Sequence, residues 1–257
     1  MQTVVQPILE MRGITKNFGG LRALDKVDFE LRQGEVMGLV GDNGAGKTTL
    51  IKILTGVYPP DEGEIILEGK PVKFRNRQHA KSLGIEAVYQ DLALVETLNA
   101  PANVYLGSEI SHRVFGFSIL DNNRMKRDAL QLLRTKLNIV IDKPEEAVFN
   151  LSGGQKQSVA IGRAILKENI KILVMDEPTA ALGPEETEKT FQLIRTLRDQ
   201  GLALVVISHN LEHIFNVCDR ITVLRRGKMV GVREVALSSK TEILGLIVGV
   251  EKPANEK

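Results

Sequence analysis

Cysteine is all but missing from this 257-residue sequence: Cys218 stands alone, so no disulfide can close within the chain. That usage fits a reducing compartment, and the apolar stretch around Cys218 gives the thiol a packing role rather than a chemical one. Net charge is scarce too. Lys plus Arg total 34 against 32 for Asp plus Glu, and a formal charge of +2 leaves no electrostatic footprint for nucleic acid or anionic lipid. No nucleic-acid partner is expected. Long hydrophobic runs are absent; the longest, such as Leu202 to Ile207, fall far short of the ~20 residues that span a bilayer. The start, Met1 to Gly13, lacks the basic segment and apolar core of a secretory signal, so a soluble, cytoplasmic chain is expected. Internal repeats, low-complexity tracts and Ser/Gly linkers are also lacking, so any second lobe must be an insertion.

What is present is a globular composition, 43% hydrophobic, at a length that suits one large domain or a main lobe carrying a smaller insert. The segments Ile8 to Ile14, Lys26 to Leu31 and Glu64 to Leu67 alternate or nearly alternate apolar with polar residues between Gly-containing turns, which predicts an N-terminal antiparallel sheet. By contrast, Val36 to Val40, Ile85 to Tyr89, Ile172 to Met175 and Ala203 to Ile207 are short, mostly continuous apolar runs, the pattern of parallel strands buried on both faces. Helical segments interleave them, giving an α/β class. Strand signals fade between Asp91 and Asn150, where Asn123 to Leu137 carries a helical rhythm, so a helical lobe is expected as an insert at about 91–165 of a single domain spanning 8–250. A hairpin turning at Arg226-Gly227, a last helix capped by Ser238 or Ser239, and a short polar tail at 251–257 complete the reading.

Gly41-Asp42-Asn43-Gly44-Ala45-Gly46-Lys47-Thr48 matches the phosphate-binding loop, and it lies between an apolar strand and a helical run, the context that gives the pattern weight. Its glycines let backbone N–H groups wrap phosphates, Lys47 reaches the β and γ phosphates, and the Thr48 hydroxyl can ligate magnesium. Asp176-Glu177 closes another apolar strand. Neighbouring side chains diverge in strand geometry, so Asp176 is assigned to the magnesium shell and Glu177 to the attacking water. Gln90 and His209 each follow a further apolar run, and the carboxyl ends of parallel strands share the edge where open α/β sheets bind ligands. His79, His112 and His213 lack that placement and receive structural roles. Ser152-Gly153-Gly154-Gln155 opens a helical stretch and admits two readings: a capping box from Ser152 and Gln155, or exposed N–H groups ready for a phosphate. Spacing does not choose between them.

The order of these motifs resembles the ATP-binding cassette (ABC) family, from about Leu9 to Val232. The resemblance implies a P-loop NTPase fold with an N-terminal antiparallel β-subdomain and an inserted helical subdomain. It makes Gly41 to Thr48, with Thr49, the Walker A loop, Gln90 the Q-loop glutamine and a further magnesium contact, and Leu151 to Gln155 the signature. Ile172 to Asp176 resembles Walker B, Glu177 the catalytic glutamate and His209 the switch histidine, with Lys47 and Gln90 sharing in catalysis. Phe18, upstream of Walker A, matches the aromatic that stacks on adenine. In the family the signature of one subunit closes over ATP held by the other, which implies ATP and Mg2+ as ligands and a homodimer with ATP at its interface. It also implies membrane permease subunits as partners, a sugar-binding protein acting indirectly, and a location on the inner face of the membrane. One departure is Gly183, where most family members carry Asp, in Ala180-Ala181-Leu182-Gly183. With Thr55 to Pro60 and Asn103 to Gly107, that segment resembles the ribose, xylose and fructose importer branch.

Import of a monosaccharide driven by ATP hydrolysis is therefore the expected function. A soluble ABC protein of DNA repair or translation would bring tandem cassettes, long coiled coils or basic arms, none of which is visible. A nucleotide-dependent scaffold is suggested only by Gly183 and opposed by Glu177 and His209, and an ABC system for another substrate is the remaining alternative.

Overall fold

The computed structural model describes residues 6–114, 117–167, 169–180 and 182–250. The expected tail at 251–257 and Ala181 lie outside the described residues. The chain begins β1 (Pro7–Phe18), β2 (Leu21–Arg32), β3 (Val36–Val40), α1 (Lys47–Leu54), β4 (Glu62–Leu67), β5 (Lys70–Val72), α2 (Arg77–Ser82) and β6 (Ile85–Val88). It continues with α3 (Ala100–Tyr105), β7 (Ser111–Val114), β8 (Phe117–Leu120), α4 (Asn122–Leu137), α5 (Gly153–Ile165) and β9 (Ile172–Asp176). The last elements are α6 (Pro184–Asp199), β10 (Ala203–Ile207), α7 (Leu211–Val217), β11 (Arg220–Arg225), β12 (Lys228–Glu234) and α8 (Lys240–Val248). Among the described residues no helix is long and apolar enough to cross a membrane.

Two compact units result. The first gathers the described parts of Met1–Ala87, Asn169–Glu177 and Arg198–Lys257, and the second those of Val88–Glu168 and Pro178–Leu197. The N-terminal antiparallel sheet is present in the order β2-β1-β4-β5. Its strands run longer than their alternating cores because polar ends find partners: Asp61 takes the Asn17 N–H at 2.6 Å and the Lys16 ammonium at 2.6 Å, holding the end of β1.

The second sheet has the order β12-β11-β3-β10-β9-β6, with β11, β3, β10 and β9 parallel. Every residue of β3 and β10 is buried, as their continuous apolar runs require. The register aligns Leu39 with Ile207 and Ile207 with Asp176, so the ends of β3, β10 and β9 lie side by side. The β11–β12 hairpin turns at Arg226 and Gly227, both with positive φ, and Ser239 caps α8 by accepting from Glu242 N–H. Cys218 is buried, and burial pushes its thiol pKa up, in keeping with a packing role.

The second unit is mainly helical. On α4, Met125, Ala129, Leu133 and Leu137 recur every fourth position on the buried stripe. Gly162 of α5 allows close helix packing, since a Cβ there would sit 2.9 Å from a Leu133 methyl. One expectation fails: β7 and β8 form a hairpin where only helix was foreseen. Phe117, Ile119 and Leu120 of β8 are exposed, so no inward-facing alternation marked it in the sequence.

Candidate active site

The phosphate loop links β3 to α1. Gly41 has φ +149°, and a Cβ there would come 2.1 Å from the Leu224 carbonyl oxygen, so a side chain is excluded by close backbone approach. Gly44, at φ +80°, sits where a Cβ would meet no protein atom within 4 Å. Helix α1 has Gly46 as its N-cap, with no side-chain cap and no acid in its first turn, which comprises Lys47, Thr48 and Thr49. Its first N–H groups are thus free of side-chain acceptors and suited to phosphate oxygens. Lys47 folds over the loop, its ammonium donating to the carbonyls of Gly41 at 2.6 Å and Asp42 at 3.0 Å. Burial lowers the Lys47 pKa, against the opposing pull of Glu177, Asp42 and Asp176.

Asp176 is the last residue of β9, and burial with the charge of Glu177 raises its pKa while Lys47 counters them. Glu177 departs from the sequence-based expectation. It does not continue the strand; its φ is +50°, so the two carboxylates part company through a left-handed backbone step rather than through pleat alternation. Such a conformation costs a non-glycine residue roughly 1–3 kcal/mol and gathers at functional sites. The cost is offset by contacts. Glu177 N–H donates to the Ile207 carbonyl, while its carboxylate accepts His209 N–H at 2.9 Å and the Ser208 hydroxyl at 3.3 Å. His209 Nδ1 lies 2.8 Å from the same Oε1, on a side chain 77% exposed.

Phe18 ends β1 and is 42% exposed. Tyr58 meets its ring edge-on, at a centroid distance of 5.3 Å, and the Lys16 ammonium lies 5.8 Å from its centroid. Tyr58 and Ser208 are supports that the motifs did not single out; the scarcity of aromatics and the Ser208-His209 step at a strand end were the available signals.

The first unit thus holds the phosphate loop, Asp176, Glu177, His209 and Phe18. Gln90 and Ser152–Gln155 belong to the second. Gln90 is exposed, two residues beyond β6. The segment after it is held by Arg163, whose guanidinium donates to the carbonyls of Leu92 at 2.6 Å and Ala93 at 2.7 Å. Ser152 and Gln155 form the capping box of α5: Ser152 Oγ accepts Gln155 N–H and Gln155 Oε1 accepts Ser152 N–H. His79 accepts from Arg75 N–H, and His213 Nε2 contacts the Asn210 amide.

A Cβ at Gly183 would meet nothing within 4 Å. Gly183 also stands at the N-cap position of α6, its carbonyl accepting from Thr187 N–H. Gly183→Asp is therefore expected to fold with a melting temperature within a few degrees of the parent, since Gly and Asp differ by only tenths of a kcal/mol at an N-cap, ~0.5. The cooperativity of ATP turnover should change, and an unchanged Hill slope would make the departure at 183 neutral.

A phosphate loop beside an acidic strand end and a histidine, on adjacent parallel strands, defines a P-loop nucleoside triphosphatase. Residues 24–180 match the family model described as ABC transporter. The chain is 42% identical over 254 residues to the fructose import ATP-binding protein FrcA of Rhizobium meliloti, covering 98% of this chain and 97% of that protein. It is 45% identical to the xylose/arabinose import ATP-binding protein XylG of Sulfolobus acidocaldarius, covering 87% and 86%. The ribose import ATP-binding protein RbsA 1 of Rubrobacter xylanophilus is 44% identical over 95% of this chain, but the chain spans only 48% of that protein. Among solved structures, a nucleotide-free ATP-binding cassette superposes with a TM-score of 0.78 at 27% identity, covering 95% and 96% of the two chains. A dimeric cassette in a post-hydrolysis state with ADP and Pi gives 0.71 at 26% identity, covering 88% and 98%. The chain belongs to the ABC transporter family, as a nucleotide-binding ATPase of the cassette type.

Proposed function

We propose that this chain powers the import of a monosaccharide by binding and hydrolysing ATP on the inner face of a cell membrane, as a homodimer docked on separate permease subunits. The observation that carries the chemistry is the grouping of Lys47, Asp176, Glu177 and His209 beside the phosphate loop; the sugar assignment rests on the relatives named for fructose, ribose and xylose import. The two units together make one cassette, 8–250.

In this reading the N–H groups of Gly41–Thr49 and the Lys47 ammonium hold the phosphates, and Phe18 stacks on the base. Among the described residues no cluster of three His, Cys, Asp or Glu side chains could hold a metal alone. The donors at hand in the first unit, the Thr48 hydroxyl and Asp176, suit magnesium that arrives with the nucleotide and neutralises phosphate charge. Glu177 accepts the proton of the attacking water. A carboxylate offers about four lone-pair sites. His209 N–H and Nδ1 take two on Oε1 and Ser208 takes one on Oε2, which leaves a site on Oε2 for water. His209 is a positioning residue for that carboxylate. Ser152 to Gln155 close over ATP held by the second copy.

Docking on the permease is assigned to 91–107. Val104 is core, whereas Val95, Leu98 and Leu106 are 37–38% exposed on a segment held from behind by the buried Asn103. Leu98→Glu or Val95→Glu should abolish transport and leave ATPase activity in solution near normal; equal loss of both would place these side chains in the core. The function itself is tested by disrupting the gene and following uptake of labelled fructose, ribose and xylose. Loss of one uptake is expected, and normal uptake of all three would reject the sugar assignment.

A further inference from the structure

Two helices in this chain offer their N-termini to phosphate in the reading above, and they differ. Helix α1 carries no side-chain acceptor at its start, whereas α5 already carries an anion. Glu186, in the first turn of α6, accepts Gly154 N–H on Oε1 at 3.3 Å. The Glu186 pKa is lowered, first by the Ser152 side chain and then by the Gly154 and Gly183 N–H groups. Its stem lies across Gly154: a Cβ built there would meet Glu186 Cβ at 3.6 Å and Cγ at 3.7 Å. The neighbouring acid behaves differently. Glu185 pairs with Lys189 on the surface of α6, at 2.7 Å.

We infer that Glu186 is a built-in occupant of the signature's anion position, which the γ-phosphate carried by a second copy must displace before the two cassettes close. This rests on Ser152, Gly153 and Gly154 being the contact for that phosphate. The carboxylate accepts the Gly154 N–H, a donor that a phosphate oxygen would claim, so the two anions compete for one place. Helix capping alone would have a glutamate in the third helical position reach back to Gly183, the residue before the helix. It does not account for the reach to Gly154, 32 residues away in sequence. The competition raises the ATP needed for dimerisation, because only the fraction of chains with Glu186 withdrawn is competent to close. Binding of ATP to the phosphate loop of an isolated chain is untouched by it.

The test uses the full chain in a Glu177→Gln background, with dimer followed by light scattering against ATP and magnesium. Adding Glu186→Gln, which keeps the shape and removes the charge, should lower the half-maximal ATP concentration by on the order of tenfold. Glu186→Asp keeps the charge but is a methylene too short to span to Gly154, and it should shift the curve in the same direction; it carries the test should the glutamine variant fail to fold. A fluorescent ATP analogue should bind dilute monomers of every variant with equal affinity. Curves that superpose on the background, or move to higher ATP, would reduce Glu186 to a helix cap and overturn the inference while the closed dimer stands. Unequal analogue binding by the monomers would overturn it too, by placing the effect at the phosphate loop. Ser152→Arg in the same background should abolish the dimer; persistence would remove the signature contact itself, and the inference with it.

Discussion

Glu177→Gln should bind ATP but turn it over roughly 10²–10⁴-fold more slowly, the loss expected when a positioned general base is removed. The substitution is small in structural terms. An amide oxygen can still accept His209 N–H, and the glutamine keeps the volume of the glutamate, so the left-handed step at 177 and the bond from its N–H to Ile207 can persist. What disappears, in the mechanism proposed, is the basic lone pair on Oε2 left for the attacking water. Phosphate contacts from Lys47 and the start of α1 remain, so binding and chemistry separate. The unhydrolysed γ-phosphate then acts as a ligand shared by two copies and shifts the population toward the dimer by mass action. Light scattering with and without ATP and magnesium reads this directly. A Glu177→Gln protein that stays monomeric in saturating ATP, or that hydrolyses near the parent rate, removes Glu177 from the role of base.

Lys47→Ala should lower kcat/KM for ATP by about 10²-fold or more, since a preorganised cation at the developing phosphate charge has no neighbour able to replace it. Stability should move the other way or not at all. Burial lowers the Lys47 pKa, so the folded state disfavours the charged form that the unfolded chain carries freely. The sign follows: a lysine depressed on folding costs stability at every pH below its folded pKa, and the cost fades as pH rises from that value to the unfolded one. At neutral pH the alanine variant therefore melts no lower than the parent while turnover collapses. A large fall in melting temperature would make Lys47 a structural tie between Gly41 and Asp42 and weaken the assignment.

Much of this arrangement was legible in the sequence because it is written in short-range patterns. Continuous apolar runs marked β3, β9 and β10 to within a residue, the phosphate loop announced its own turn, and Ser152 with Gln155 spelled out a capping box that is present. Other features depend on who meets whom. The positive φ of Glu177 is held by Ile207, at the end of β10, and by His209 just beyond it, and no local propensity favours it. Glu186 reads locally as one more acid in a first turn; its tie to Gly154 exists only once α5 and α6 are packed. β7 and β8 leave no burial pattern in the sequence, because Ser111 to Arg113 and Phe117 to Leu120 are all exposed. The second compact unit takes in Pro178–Leu197, which joins by tertiary contact rather than by sequence proximity.

Asn103 has a consequence for how this chain could change. Fully buried, its one amide accepts Val95 N–H and donates to the carbonyls of Val95, Leu98 and Asn99, so the shape of the 95–99 segment is written in backbone bonds. Bonds from the Asn103 amide to main-chain groups do not depend on which side chains Val95 and Leu98 carry. The outward letters of the segment can therefore be rewritten without redrawing its path, and a cassette built this way could be refitted to a different permease by a few surface substitutions, with the ATP chemistry left as it is.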